Sequence, residues 1–94
     1  MPHISVSKHS QVGDDIVFRV EVEERGVKTE HLVEVSHDYY IFLAEGKITR
    51  EELVQKSFDF LLEREPKESI LGKFNLRKIF HYFPEYEESI KNYL

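Results

Sequence analysis

The stretch IVFRVEVEERGVKTEHLVEVS, residues 16–36, alternates apolar and polar side chains on both sides of Arg25-Gly26. A period of two is typical of β-strands that bury one face. A two-residue turn at Arg25-Gly26 would pair Ile16 with Val35 and Val22 with Thr29, and a shift by one residue would invert both faces. The predicted inner face consists of Ile16, Phe18, Val20, Val22, Thr29, His31, Val33 and Val35.

The turn sequence leaves one alternative open. A type I′ turn needs positive φ at both of its central residues, and Arg-Gly meets that need less well than Asn-Gly. A slightly longer loop is therefore the alternative to a two-residue turn at Arg25-Gly26.

Upstream of the hairpin, HISVSKHS (residues 3–10) also alternates and predicts a third strand with Ile4 and Val6 directed inward. The segment QVGDD, residues 11–15, has the Gly and Asp residues of a connecting turn. An isolated hairpin is marginal in water, so a third strand or a helix has to cover it.

Residues 37–94 predict helices. In SHDYYIFLAEG, residues 36–46, Ser36 or Asp38 can cap the N-terminus and Gly46 can end the helix. In the next segment Thr49 and Glu52 have the spacing of a capping box, and Pro66 is expected to end that helix. Its apolar positions cover so wide an arc that it is predicted to be the central helix: Leu53, Val54, Phe58, Phe60, Leu61 and Leu62.

Two short helices are expected after a single helical turn in PKESILGKFN, residues 66–75, which stops near Gly72. Asn75 is expected to cap the first of them, and Pro84 to separate the two. The predicted fold class is therefore α+β. An N-terminal antiparallel β-hairpin or three-stranded meander (residues 1–36) is followed by about four packed helical segments (residues 37–94) in a single domain, residues 1–94.

Composition narrows the classes of function. The chain has no cysteine, which excludes thiol catalysis and thiolate metal sites and favours a reducing cytoplasm. No leader-like start and no apolar window of membrane-spanning length is present, so no membrane partner is expected. The net charge is −5, yet residues 66–94 hold five Lys and Arg against four Asp and Glu. Nucleic-acid binding by the whole surface is therefore not expected, and only the C-terminal third is a candidate.

The segment NLRKIFHYFPEYE, residues 75–87, combines basic and aromatic residues. On a helix that starts at Leu76, one packing stripe is predicted to consist of Leu76, Ile79, Phe80 and Phe83. The residues of that helix outside the stripe, together with a lysine just before it, would then form a candidate contact surface. Its members are Lys73, Arg77, Lys78, His81 and Tyr82. A basic and aromatic set can stack a base or hold a phosphate. The alternative is an ordinary solvated face.

No catalytic, cofactor-binding or metal-binding residue is predicted. The five histidines lack the spacing of a zinc site. His31 falls on the inner sheet face and is expected to be buried and hydrogen-bonded, whereas His37 and Asp38 are not expected to act as an acid-base pair. In YYIFL, residues 39–43, core packing is favoured over an exposed interaction surface.

The C-terminal elements FLLEREP, SIL and YFPEYE resemble the tails of a group of short uncharacterised prokaryotic proteins. The resemblance covers about the last forty-five residues and implies a prokaryotic origin. No activity and no site residue is implied by it.

These patterns lead to one functional prediction with one alternative. The prediction is a small non-enzymatic protein-interaction or regulatory module without cofactors, whose partner is another protein or a second copy of the chain. The alternative is a nucleic-acid-binding module that uses the basic and aromatic residues between Lys73 and Tyr82.

Overall fold

The structure is a computed structural model that describes residues 2–94. Its elements are strands β1 (His3–Val12), β2 (Asp15–Glu24) and β3 (Val27–Val35), helices α1 (His37–Ala44) and α2 (Arg50–Leu62), a 3-10 turn (Lys67–Ser69), strand β4 (Lys73–Asn75), and helices α3 (Lys78–Tyr82) and α4 (Tyr86–Asn92). The strands within these residues form one sheet in the order β1-β2-β3-β4. The helices and the inward side chains of the sheet enclose one hydrophobic core, which confirms the α+β class.

The hairpin of β2 and β3 has the predicted register. Ile16 pairs with Val35, and Val22 pairs with Thr29. The turn has φ of 55° at Arg25 and 77° at Gly26. These are the two positive values that a type I′ turn requires, so the two-residue turn is confirmed and the longer loop is excluded.

Strand β1 supplies the predicted third strand, antiparallel to β2. Ile4 lies opposite Val22 and Val6 opposite Val20, and both β1 side chains pack against the core. The strand continues to Val12, further than its alternating pattern predicts, because the following turn at residues 13–14 is tight.

Helix α2 is the central helix, as predicted, and packs on β1, α1 and α4. Its capping box is present, because the Thr49 hydroxyl accepts from the Glu52 N–H at 3.1 Å and the Glu52 carboxylate accepts from the Thr49 N–H at 2.9 Å. The first helix is capped by Ser36 and not by Asp38. Helix α2 ends at Leu62, before Pro66, which instead precedes the 3-10 turn.

Residues 37–94 also contain a strand that the sequence did not predict. The single helical turn expected before Gly72 is present as the 3-10 turn Lys67–Ser69, but Lys73–Asn75 then form strand β4, parallel to β3. The Leu32 N–H donates to Gly72 O at 2.9 Å, and the Leu76 N–H donates to Glu34 O at 2.9 Å. The free edge of β3 therefore imposes the extended conformation, and a three-residue strand leaves no periodicity to detect.

The predicted packing stripe of the next helix is wrong at Phe80. Leu76 and Ile79 are buried, but Phe80 is 39% exposed. The first bonds run from Ile79 N–H to Leu76 O and from Phe80 N–H to Arg77 O, the spacing of a 3-10 helix. Because a 3-10 helix turns further per residue than an α-helix, Phe80 rotates away from the side that Leu76 occupies.

Candidate interaction surface

The predicted contact residues all have exposed side chains. Lys73 belongs to β4, Arg77 immediately precedes α3, and Lys78, His81 and Tyr82 belong to α3. The main-chain N–H of Arg77 donates to the Asn75 side chain at 2.9 Å, which orients the entry into the helix. The prediction that Asn75 caps this helix from Leu76 onward was therefore wrong, because α3 begins at Lys78 and its N-cap residue is Arg77, which makes no side-chain capping bond.

The predicted set divides between two sides of α3. Lys78 and Tyr82 lie one helical turn apart and both border a surface groove, with Lys78 Nζ 6.0 Å from the centre of the Tyr82 ring. Arg77 and His81 are likewise one turn apart, on a different side of the helix. The structure therefore unites Lys78 and Tyr82 and separates them from Arg77 and His81.

Arg77 already has a partner within the molecule. Its guanidinium carbon lies 4.7 Å from the centre of the Tyr39 ring. The Tyr39 hydroxyl donates to the Glu87 carboxylate at 2.8 Å. Burial and this hydrogen bond raise the pKa of Tyr39, so its hydroxyl stays protonated. The exposed side chain of Arg77 therefore contacts α1 through Tyr39, which in turn is hydrogen-bonded to Glu87 on α4.

The groove beside Lys78 and Tyr82 has a volume of about 370 Å³. Apolar side chains form its floor and walls, and Lys78 and Glu65 stand on its border. Leu71 is 46% exposed and Tyr82 is 62% exposed, so both present apolar surface to solvent beside it. The apolar lining consists of Leu61, Ile70, Leu71, Phe74, Ile79, Tyr82 and Phe83.

Sequence patterns missed most of this groove. Leu71 and Phe74 come to it because strand β4 follows the edge of β3, and that strand was not predicted. The alternation of Lys73, Phe74 and Asn75 is the only local signal, and three residues are too few to distinguish it from a loop.

The apolar run YYIFL is divided between core and surface. Tyr39 and Leu43 are buried as expected, whereas Ile41 is 48% exposed and Phe42 is 50% exposed. Lys91 Nζ lies 4.2 Å from the centre of the Phe42 ring, which covers part of that aromatic face. A short helix against the core cannot bury every side of an apolar run.

The structure confirms that His31 is buried and hydrogen-bonded, with only 2% of the residue exposed. Its Nδ1 lies 2.8 Å from Leu71 O, and its Nε2 lies 2.9 Å from the Thr29 hydroxyl. A carbonyl can only accept, so Nδ1 carries the hydrogen. His31 therefore holds the segment before β4 against the sheet.

His37 takes part in a structural network. Arg50 Nη2 lies 3.1 Å from His37 Nδ1, and Arg50 Nη1 donates to Asp14 O at 2.7 Å. The main-chain N–H of His37 donates to Asp15 at 3.2 Å. These bonds tie the β1–β2 turn to the starts of α1 and α2, and Asp38 has no part in them.

Within residues 2–94, no group of three or more His, Asp or Glu side chains is placed to hold a metal ion. The same residues contain no helix that is long and apolar enough to span a bilayer. The chain matches no protein-family profile, no curated protein and no solved structure. The resemblance of its C-terminal pattern to short prokaryotic proteins therefore stays a prediction.

Proposed function

We propose that this protein is a non-enzymatic interaction module that binds a partner protein in the groove between β4 and α3. The groove accepts one or two large apolar side chains of a partner segment, and Lys78 meets an acidic residue beside them. The observation that supports this most directly is the combination of an apolar groove with exposed Leu71 and Tyr82 at its side. Exposed apolar surface of this kind marks interaction sites.

The volume supports an occupant of limited size. Binding clefts for drug-sized ligands enclose roughly 300–1,000 Å³, and this groove, at about 370 Å³, lies near the lower limit. Side chains of a docked peptide fit that space, whereas a folded domain would contact only the rim.

Charge supports an acidic partner. The whole chain has a net charge of −5, but Lys78 borders the groove and Lys73 belongs to the adjacent strand β4, whereas Arg77 lies on another side of α3. Complementary charge across an interface directs the encounter and increases the association rate. An acidic segment would be attracted to this side and repelled by much of the remaining surface.

We also propose that the protein is cytoplasmic. The cysteine-free composition suits a reducing compartment. Among the described residues, every buried side-chain nitrogen and oxygen has a hydrogen-bond partner. These buried polar side chains form internal hydrogen bonds, for example between the hydroxyls of Ser57 and Tyr86, which lie 2.6 Å apart.

One observation favours the nucleic-acid alternative as a second candidate. Lys78 lies beside the exposed Tyr82 ring, and an amine next to an aromatic face can hold a phosphate while a base stacks. Arg77, engaged with Tyr39, contributes less to such a site than its sequence position predicts.

The experiment is a selection of displayed random peptides on the immobilised full chain, followed by NMR titration of the enriched peptides. Peptides that carry a large apolar residue next to Asp or Glu are expected to be enriched and to shift the amide signals of Leu71, Phe74 and Tyr82. Leu71→Asp and Lys78→Glu should weaken binding. Val27→Asp is the matched control for Leu71→Asp. Val27 is also exposed, at 53%, but it lies at the start of β3, away from the end of β3 that pairs with β4.

Two results would contradict the proposal that the groove binds a partner protein. If no peptide is enriched above the level seen with the Leu71→Asp variant, the protein-binding proposal fails. If a short single-stranded RNA shifts the signals of Lys78 and Tyr82 and added salt reverses the effect, the nucleic-acid candidate replaces it.

A further inference from the structure

The sheet has an open edge at β1, on the side opposite the groove. Every second residue of an edge strand directs its N–H and C=O away from the sheet, where another strand can pair with it. Strand β1 offers ten residues, whereas β4 at the other edge has three. The longer free edge is therefore at the N-terminal side of the sheet.

Only the first half of that edge is regular. The register with β2 shifts between Lys8 and Ser10, which indicates a β-bulge at His9. A bulge and an edge lysine both hinder the approach of a further strand. The segment His3–Ser7 precedes both features and keeps continuous pairing geometry.

The chemistry of His3–Ser7 permits close approach of an identical segment. It contains no Asp, Glu, Lys or Arg, although the chain as a whole has a net charge of −5. Ile4 and Val6 are only partly buried, so their apolar surface is not fully covered within one molecule. Two copies that repel each other elsewhere have no such repulsion here.

A depression of about 400 Å³ lies beside Ile4 on the helical side of the sheet. Leu62 and the half-exposed Tyr93 supply its apolar part. Lys56 on α2 and Glu63, the residue that caps the C-terminus of α2, border it with charges of opposite sign, and Asp59 on α2 adds a second acidic side chain. A surface that carries both signs along one helix is self-complementary when a second copy runs in the opposite direction.

We propose that a second copy of this chain pairs with β1 antiparallel over His3–Ser7, about a two-fold axis that passes through Ser5. Ile4 of each copy then lies opposite Val6 of the other, and the two sheets continue into one. The same axis makes the two α2 helices antiparallel and directs Lys56 of one copy toward Glu63 of the other. The interface is small, so the dissociation constant is expected to be on the order of 10 μM.

Sedimentation equilibrium of the full chain over a concentration series tests the pairing. Ser5→Lys places two lysines against each other on the axis, and such like-charge pairs should weaken dimerisation by about ten-fold or more. Within one molecule Ser5 is exposed and lies opposite Glu21, so the monomer accepts the lysine. Ser10→Lys is the matched control, because Ser10 is an exposed serine beyond the bulge, and it should leave the dimer unchanged.

A charge exchange tests the contact between the helices. Lys56→Glu should weaken the dimer, and adding Glu63→Lys to the same chain should restore it, while the thermal unfolding of dilute samples confirms that each variant is folded. A wild-type chain that stays monomeric up to about 1 mM overturns the proposal. A dimer that Ser5→Lys leaves intact overturns it as well, and neither result bears on the groove at the other edge.

Discussion

The buried hydroxyls of Ser57 and Tyr86 allow a prediction of how much stability each side chain contributes. The prediction depends on which hydroxyl donates the hydrogen bond. Tyr86 is fully buried, and its hydroxyl lies 2.6 Å from the Ser57 hydroxyl. Ser57 also donates to Leu53 O at 2.7 Å. A serine hydroxyl has one hydrogen, so Ser57 donates to Leu53 and accepts from Tyr86.

Because Tyr86 is the donor and Ser57 the acceptor, the two substitutions should lower the free energy of unfolding for different reasons. Tyr86→Phe removes one donor but leaves the Ser57 hydrogen paired, so the free energy of unfolding should fall by about 1 kcal/mol. Ser57→Ala leaves the Tyr86 hydroxyl buried without a partner, which costs about 1–3 kcal/mol and is offset by about 0.5 kcal/mol of helix propensity. The double variant keeps neither hydroxyl, so its loss should be smaller than the sum of the two.

Urea unfolding followed by circular dichroism measures these differences, and equal slopes confirm that the unfolded states are comparable. For a chain of this size each 1 kcal/mol also lowers the Tm by about 4–8 °C. Tyr82→Phe is the matched control, since Tyr82 is 62% exposed, and it should leave stability unchanged. If the two losses add, the two hydroxyls are not coupled and the inferred hydrogen bond between Ser57 and Tyr86 is wrong.

Three further predictions concern a cap, a buried histidine and a turn. The backbone and hydroxyl hydrogen bonds from Thr49 hold the pKa of Glu52 below its usual range. The ionised Glu52 carboxylate therefore stabilises the folded state above the unfolded-state pKa of about 4.3. This stabilisation is lost as the pH falls through the lower folded-state pKa. Glu52→Gln should flatten the acid limb of a stability profile, and an unchanged limb would contradict the cap. His31→Leu leaves the Leu71 carbonyl without its donor, and urea unfolding should show a loss of about 1–3 kcal/mol; a neutral result would mean that the bond contributes nothing. Arg25→Asn suits the positive φ at this position and should raise the free energy of unfolding by about 0.5–1 kcal/mol, whereas a lower Tm would argue against a strained turn.

The sheet shows how much of the fold local pattern can predict. Ile16 to Val22 alternate over the length of a strand, as do Thr29 to Val35, so one register buries both apolar rows and every shifted register exposes them. The capping box of Thr49 and Glu52 is equally local, because its groups are three residues apart. Such features could be predicted since the interacting groups are close in sequence or repeat with a fixed period.

The candidate site could be predicted only in part. Lys78 and Tyr82 were singled out as neighbours on a helix, and they do border the groove. Leu71 was not singled out, because its place depends on β4 and on the hydrogen bond between its carbonyl and His31. Arg77 was expected at a free surface, but its contact with Tyr39 joins segments far apart in the chain.

The amino-acid sequence by itself determined the hairpin of β2 and β3, its buried face and the central helix, since each rests on a repeating pattern of apolar residues. It left the third strand as one of two alternatives. Only the tertiary structure decided that Lys73–Asn75 would become a strand, that Phe80 would turn outward and that a groove would open beside Tyr82. The physical reason is that these features depend on which free edge and which buried surface a short segment meets after the larger elements have packed. A segment of three to five residues has too little propensity of its own to determine that outcome.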